Sequence, residues 1–333
     1  MDFKKIFVEN ANPTSIGGQA VMNGIMMRGP VRTATAIRLS NGNIHLKTEP
    51  TPKTPKLGKV PFIRGVINFV MSLVLGTKIL MESAEVLEKD EPENYEPDKF
   101  DLWIEKKFGK EKGWNILLGI SVVFAIVLSV GLFILLPTVV VGALSKYVES
   151  VIALNLIEGG VRIVLFIGYI ILISLLNDIH VVFQYHGAEH KTIHCFESGM
   201  ELTPDNAQTF YTLHPRCGTS FLMFVMIVAV IVHSFMGWPN VWMRLLTRIL
   251  VLPVIAGISY ELLKWAGRSN NIVVRFLSLP GIYLQKLTTA IPNEEQLEVA
   301  IVALKAVLPN EDESKVPYFT KIVDKDGKEV ENI

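Results

Sequence analysis

Histidine and glutamate side chains are concentrated in one short stretch of this sequence, between residues 184 and 197. At roughly 100° per residue on a helix, His186, His190, His194 and Glu197 point to one side within about 80°, and Glu189 lies beside them. The order His-x-x-Glu-His from 186 to 190 is the reversed signature of one class of zinc protease, in which two imidazoles one turn apart bind the metal. The stretch therefore predicts a metal centre with Glu189 as the general base.

This stripe is too long for one ion to bind all of its members, because about 16 Å separates its ends at 1.5 Å per residue. One metal could take His186 with His190, or His190 with His194, and needs ligands from elsewhere in either case. His214 and Cys217 follow in a His-Pro-Arg-Cys turn with a ligand-like spacing of three. We expect a divalent metal here, zinc foremost and iron or manganese otherwise, with one coordination position left for water.

Five further polar residues are candidates for the same site. Asp178 and Glu261 lie near the ends of predicted membrane helices, where an ionisable side chain is costly unless it has a function. Gln19 belongs to a Gly-Gly-Gln-Ala segment that we expect to cover the site. Arg28 and Arg216 could bind a phosphate or carboxylate group, and a role as a brace at a helix end or loop is equally open.

The composition is that of a membrane protein with sizeable polar parts. The 333 residues are 50% hydrophobic and only 19% charged, and the mean hydropathy is +0.38. The formal net charge is zero, so no nucleic-acid partner is expected. Two cysteines provide no disulfide framework, and no signal peptide is visible at the start of the sequence.

The hydrophobic pattern predicts a mainly α membrane protein with about four transmembrane helices, interfacial helices and a small β-rich N-terminal cap. The expected spans cover residues 115–143, 161–182, 219–237 and 247–266, and the second is expected to continue as one helix to Gly199. Lysine and arginine flank the spans mainly on the side of the 183–218 loop. The positive-inside rule therefore places both termini and that loop in the cytoplasm of a bacterial cell, around a multi-pass domain.

We predict four segments along the chain. Residues 1–59 form the cytoplasmic cap, in which Asn41-Gly42 is a strong hairpin signal. Residues 60–113 contain an interfacial helix and an acidic linker, and residues 114–268 form the four-helix membrane domain. Residues 269–333 contain an interfacial segment, an amphipathic helix that begins after Asn293 and packs against the cap, and a loosely ordered tail.

Several motifs resemble the YqhQ family of bacterial multi-pass membrane proteins. They are Gly-Gly-Gln-Ala-Val-Met at 17–22, Met-Met-Arg-Gly-Pro at 26–30, Tyr-His-Gly-Ala-Glu-His-Lys-Thr at 185–192, His-Pro-Arg-Cys-Gly-Thr-Ser-Phe at 214–221, Tyr-Glu-Leu at 260–262 and Leu-Gln-Lys-Leu-Thr-Thr at 284–289. The resemblance implies a predicted metal-dependent enzyme and names no substrate. The family usually has Glu where this chain has Asn23, and Arg-Glu where it has Ala290-Ile291.

The sequence thus favours a metal-dependent membrane enzyme that works at the cytoplasmic face of the bilayer. Hydrolysis of a membrane-associated lipid or peptide substrate is the expected reaction. The alternative is a non-enzymatic assembly scaffold or chaperone, in which a structural metal or a polar cluster stabilises the fold. A transporter is disfavoured, because only four spans are predicted and few charges lie midway through them. The sequence does not indicate an oligomeric state.

Overall fold

A computed structural model describes most of the chain, and its helices and strands form two compact units. The first unit comprises Met1–Asp90, Ile170–Val225 and Ala256–Ile333, and the second comprises Glu91–Tyr169 and Met226–Ile255. The described residues are 6, 12, 14–53, 55–90, 102–103, 106–107, 109–266, 272–308 and 318–330.

The first unit contains an antiparallel meander of five strands in the order β1 to β5. The strands are β1 (Gly17–Val21), β2 (Gly24–Arg28), β3 (Arg32–Arg38), β4 (Ile44–Pro50) and β5 (Thr320–Val323). Asn23 adopts a positive φ of 47° in the turn between β1 and β2, and Gly42 has a φ of 83° in the turn between β3 and β4. Asparagine and glycine tolerate this conformation best, so the predicted hairpin at Asn41-Gly42 is confirmed.

The described helices take up most of the remaining chain. They are α1 (Ile63–Asp90), α2 (Lys110–Val130), α3 (Leu136–Leu144), α4 (Val151–Ser174), α5 (Asn177–Glu197), α6 (Pro204–Gln208), α7 (Thr219–Ser234), α8 (Val241–Ala266), α9 (Ile272–Thr288) and α10 (Glu294–Val307). A π-helical turn, Gly131–Leu135, joins α2 to α3, and a 3₁₀ turn, Lys56–Lys59, precedes α1. The predicted class, mainly α with a small β cap, is confirmed.

The sheet is covered by helices on both faces. On one face Ile25, Ala36 and Leu46 pack into a common core with Leu297 and Leu304 of α10. On the other face the sheet packs against α1, around a buried cluster of Val21, Met26, Ile37 and Ile79. Because both faces exclude water, β2 is apolar along almost its whole length. The predicted start of α10 is also confirmed, since Asn293 and Gln296 form a reciprocal capping box.

Four helices are long and apolar enough to cross a membrane: Ile63–Asp90, Gly119–Leu144, Val151–Ser174 and Val241–Trp265. Three of them overlap predicted spans. The third predicted span, 219–237, corresponds to the shorter apolar helix Thr219–Ser234. Helix α1 was expected to lie at the interface because few uncharged residues separate Arg64 from Lys78. Its 28 residues are nevertheless long enough to span, since charges near helix ends can reach the membrane surface.

Two predictions about chain continuity were wrong. The second span does not continue as one helix to Gly199, because α4 ends at Ser174 and α5 begins at Asn177, after Leu176 in extended conformation (φ −80°, ψ 129°). The tail is not loose where it is described, because Thr320–Val323 pairs with β4. The end of α5 was predicted correctly, since Gly199 has a φ of 70°. Most of the predicted acidic linker, residues 91–101, lies outside the described residues.

Candidate metal centre

Helix α5 brings most of the candidate residues into the interior of the first unit. Its second half, from Tyr185 onward, is buried almost without interruption. One side packs with the sheet and α10 through Tyr185 and Ala188. The side that carries the histidines faces the segment after α6 and the end of α9. The polar stripe of α5 is therefore enclosed by protein, and its side chains must find partners inside the fold.

Two histidines of the stripe are held in the same way, each by a backbone carbonyl group. His186 Nδ1 lies 2.8 Å from the carbonyl oxygen of Thr288. His190 Nδ1 lies 2.5 Å from the carbonyl oxygen of Thr212. A carbonyl oxygen only accepts, so each Nδ1 carries a proton and donates it, and each Nε2 is the ring atom that could bind a metal. This arrangement fixes the tautomer and the ring orientation of metal-binding histidines.

The two Nε2 atoms face the thiol of Cys217, which lies in the turn before α7. His186 Nε2 is 3.2 Å from Cys217 Sγ. The three possible ligand atoms of His186, His190 and Cys217 all lie within 4.8 Å of one another. Ligand atoms of a tetrahedral zinc site are about 3.3–3.8 Å apart, given bond lengths of about 2.0–2.3 Å. The three atoms are therefore nearly as close together as the ligands of a zinc site.

The state of these atoms fits a bound metal ion. His190 Nε2 is buried and has no hydrogen-bond partner among the described residues. Burial would raise the pKa of the Cys217 thiol, but the imidazoles of His190 and His186 beside it lower that pKa well below its usual range. A lowered pKa favours the thiolate, the form that binds metal. Burial would lower the pKa of His186, but the charge of Cys217 raises it to about 9.

Glu189 is buried beside this group and is fixed by the cap. Its Oε1 accepts a hydrogen bond of 2.8 Å from the backbone amide of Gly18 in β1. Burial raises the pKa of the Glu189 carboxyl, and the neighbouring His190 and His186 only partly oppose this rise. A carboxyl group with a raised pKa is suited to exchange protons near neutral pH. Glu189 is not in the group of possible ligands among the described residues.

A second polar network joins Glu197, Arg216, His214 and Thr14 next to the histidines. Glu197 pairs with Arg216, and its Oε1 accepts hydrogen bonds from the backbone amide and hydroxyl of Thr14, at 2.7 and 2.9 Å. Burial would raise the pKa of Glu197, but contact with His214, the Thr14 amide and the charge of Arg216 lower it to about 2. Arg216 therefore braces a buried carboxylate at neutral pH.

His214 was a candidate ligand, but it is not in the group of possible ligands among the described residues. Its Nδ1 accepts from the backbone amide of Arg216 at 3.3 Å, so the proton is on Nε2, which lies 3.9 Å from Glu197 Oε2. Burial and the neighbouring histidines lower the pKa of His214 to about 3, so its ring is neutral. His190 and His214 are nevertheless neighbours, with ring centroids 5.5 Å apart.

Comparison with known proteins places the chain in a family. Residues 60–310 match the family described as "Protein of unknown function (DUF1385)". The chain is also 36% identical over 306 residues to the protein named "Uncharacterized protein YqhQ" of Bacillus subtilis (strain 168), a match that covers 89% of this chain and 93% of the relative. The chain belongs to the DUF1385 family. No solved structure matches it.

The DUF1385 match includes α5 and the Cys217 turn, and the remaining candidates can be placed around them. His194 is buried outside the possible ligand group, with Nε2 3.0 Å from the carbonyl oxygen of Leu213. Asp178 is exposed in the first turn of α5. Glu261 pairs with Arg64 of α1.

The two candidates in the cap contact backbone groups instead of the metal centre. Gln19 Nε2 donates to the carbonyl oxygen of Gly76 at 3.3 Å, and Arg28 Nη2 donates to that of Pro52 at 3.4 Å. Gly18, the neighbour of Gln19, makes the cap's contact with Glu189. These contacts indicate that Gln19 and Arg28 stabilise the cap.

Sequence reasoning missed the residues whose polar groups accept hydrogen bonds from the candidate ligands or donate hydrogen bonds to them, and so fix their orientation. Thr212 and Thr288 act through their carbonyl groups, which no side-chain pattern can reveal. Gln285 of α9 is fully buried, accepts from the backbone amide of His214 at 2.8 Å and donates to its carbonyl oxygen at 2.9 Å. A glutamine inside an otherwise apolar helix face was the one available signal for this role.

Proposed function

We propose that this member of the DUF1385 family is an integral membrane metal-dependent enzyme, with His186, His190 and Cys217 as metal ligands and Glu189 as the group that exchanges protons. One observation carries the proposal. Two imidazoles from one helix have their Nδ1 atoms held by backbone carbonyl groups, while their Nε2 atoms meet a thiol from a distant turn. Three protein ligands and an open position are typical of catalytic zinc.

A bound divalent metal, zinc foremost, would supply a Lewis acid that polarises a carbonyl or phosphoryl oxygen of the substrate. The chain would supply everything else. Glu189 is held by the Gly18 amide at a fixed place beside the ligand group, where it can take a proton from an attacking water and return it to the leaving group. The cap excludes bulk water from this carboxyl and so strengthens each polar interaction in the site.

The proposed reaction is hydrolysis of a lipid-linked or peptide substrate at the cytoplasmic face of a bacterial cell membrane. Support for the membrane comes from the four helices that are long and apolar enough to span it. Support for the cytoplasmic side comes from the lysines and arginines that flank the predicted spans on the side of the 183–218 loop. The bilayer would thus be both the solvent of the helices and the source of the substrate.

The proposal is tested by elemental analysis of the detergent-purified protein. The wild type is expected to contain about one metal ion per chain, and the His186→Ala and Cys217→Ser variants less than a fifth of that. Glu189→Gln should keep the metal but lose turnover of any substrate found by screening. His180→Ala is the matched control, because His180 is an exposed histidine of the same helix. A wild type that carries no metal and cannot be reloaded would exclude the metal-dependent enzyme.

The second candidate is an assembly scaffold or chaperone with a structural metal. It is favoured by the burial of the whole centre and by the closeness of His214 to His190, which offers a potential fourth ligand. A structural zinc has four protein ligands and no exchangeable position. In the cobalt-substituted protein, azide should alter the visible spectrum if the site is open and leave it unchanged if His214 closes it.

A further inference from the structure

The second unit contains a buried cluster of charged side chains that the metal centre does not involve. It is formed by residues from α3, α4, α7 and α8 and from the 235–240 turn. Its ionised members are Glu158, Arg162, Arg244 and Arg248, and three of these four are almost inaccessible, with Glu158 exposed by 1% and Arg244 and Arg248 by 2%. Such burial of charge inside helices of membrane-spanning length is costly and indicates a function.

Glu158 neutralises part of this cluster. Arg248 donates to Glu158 Oε1 and Oε2 at 3.1 and 3.0 Å, and Arg162 Nη2 donates to Oε1 at 2.9 Å. Arg248 also donates to Asn155 at 2.8 Å, and Arg162 to the carbonyl oxygen of Phe133 at 2.8 Å. The carboxylate is therefore fully engaged by two guanidinium groups.

Arg244 is a third guanidinium group that lacks a counterion of its own. Its Nη2 donates to the carbonyl oxygen of Thr138 at 3.0 Å, and its Cζ lies 3.9 Å from the centroid of the Trp238 ring. Its Nε and Nη1 are buried and have no hydrogen-bond partner in the described part of the chain. Because guanidinium N–H groups cannot lose their protons at physiological pH, these donors require an acceptor.

The charges and the depth of the cluster indicate what kind of acceptor fits. Two arginines contact the one carboxylate and Arg244 donates to a carbonyl oxygen, so the three guanidinium groups carry two positive charges more than Glu158 offsets. Arg244 and Arg248 are the fourth and eighth residues of α8, and therefore lie roughly 5–11 Å below the start of that helix. An anion from the adjoining membrane surface could reach this depth, and an oxyanion matches the planar fork of an arginine.

We propose that Arg244, together with Arg248, forms a binding site for a phosphate group in the second unit. The phosphate oxygens would accept the Nε and Nη1 protons of Arg244 and offset the excess positive charge. Two sources share this chemistry, a phospholipid headgroup and a free phosphate ion. This site does not rest on the proposed enzyme activity, because no member of the cluster belongs to the candidate metal centre.

The test measures binding to the full-length, delipidated protein in detergent. Inorganic phosphate and dihexanoyl phosphatidic acid are titrated separately, and the tryptophan fluorescence reports binding because Trp238 stacks on Arg244. Arg244→Gln is expected to weaken binding about tenfold or more, through the loss of a charge-assisted pair. Lys146→Gln is the matched control, since it removes one positive charge from an exposed position in the same unit and should change affinity less than about twofold.

Each outcome decides a point. If the short-chain lipid binds more tightly than inorganic phosphate and Arg244→Gln loses this binding, the result supports a headgroup site. If inorganic phosphate binds equally or more tightly and Arg244→Gln loses that binding, the result supports a free-phosphate site. If neither probe binds the folded wild type, or if Lys146→Gln weakens binding as much as Arg244→Gln, the proposal is overturned. Should Arg244→Gln fail to fold, Arg244→Lys keeps the charge without the fork. Unchanged phosphate affinity in that variant would also overturn the proposal.

Discussion

His186 Nε2 lies 3.2 Å from Cys217 Sγ, although the two residues are 31 positions apart in the chain. When no metal is bound, the raised pKa of His186, about 9, and the lowered pKa of Cys217 favour an ion pair between an imidazolium and a thiolate. A metal ion must displace the proton of His186 to bind there. The ion pair therefore links metal affinity to pH.

We predict that zinc affinity rises as pH increases from 7 to about 9 and is constant above that. Below the raised pKa of His186, binding releases about one proton, so the affinity should change about tenfold per pH unit. Isothermal titration calorimetry in buffers with different ionisation heats measures the protons released. Equal proton release at pH 7 and pH 10 in the wild type would contradict the ion pair.

The contact between the cap and Glu189 depends on a glycine. A Cβ atom at Gly18 would lie 2.6 Å from the carbonyl oxygen of Met26 and 3.0 Å from Glu189 Cδ, whereas a Cβ at Gly17 would meet nothing within 4 Å. Gly18→Ala is therefore expected to lower the free energy of unfolding by about 1–3 kcal/mol and to displace Glu189, while Gly17→Ala should change it by less than about 0.5 kcal/mol. Thermal unfolding followed by circular dichroism compares the two. If Gly18→Ala and Gly17→Ala were equally stable, the close contact of Gly18 with Glu189 would not constrain the fold.

Arg216→Gln should destabilise the protein, because it leaves the Glu197 carboxylate buried without its cation. We expect a loss of about 1–3 kcal/mol at pH 7, reduced from the value for a fully buried pair because Arg216 is partly exposed. The pKa of Glu197, lowered to about 2, means that this stabilisation is present above pH 4.5 and lost as pH falls toward 2. The difference between variant and wild type should therefore be smaller at pH 3 than at pH 7.

Arg28→Gln is the control for that comparison, because Arg28 makes one long hydrogen bond to a backbone carbonyl group. It should change stability by less than about 0.5 kcal/mol at either pH. If Arg216→Gln were as stable as Arg28→Gln at pH 7, the ion pair between Arg216 and Glu197 would not stabilise the protein.

The proposed orientation predicts which positions can be labelled on intact cells. Lys146→Cys, in the turn between α3 and α4, should react with a membrane-impermeant maleimide from outside. Lys325→Cys, near β5, should react only after the cells are permeabilised, and the native Cys195 and Cys217 are buried in either case. The opposite pattern would place the metal centre on the outer side of the membrane.

The sequence predicted the helix that carries the possible ligand group, but not which of the candidate residues belong to that group. Helical spacing alone placed His186, His190 and His194 on one stripe. It could not show that His194 bonds to a backbone carbonyl of the segment that follows α6, because such partners depend on how that segment returns to the helix. The choice of Cys217 over His214 depends in the same way on one backbone amide, that of Arg216.

The fold was predictable where local signals decide it, and less so where packing does. The turn at Asn41-Gly42 and the cap at Asn293 depend on residues next to one another in the chain, and both were predicted correctly. The interruption between α4 and α5 falls at Leu175-Leu176, in apolar sequence without a glycine or proline, so no local signal marks it.

The pairing of β5 with β4 has a consequence for how the protein is made. Phe319 donates a hydrogen bond to Thr48 across 271 positions of the chain, and every described helix comes between β4 and β5. During translation, the edge of β4 that pairs with β5 therefore stays unpaired until the helices between the two strands have been synthesised. The five-stranded sheet of the cap can therefore be completed only after the helices that separate β4 from β5 in the chain.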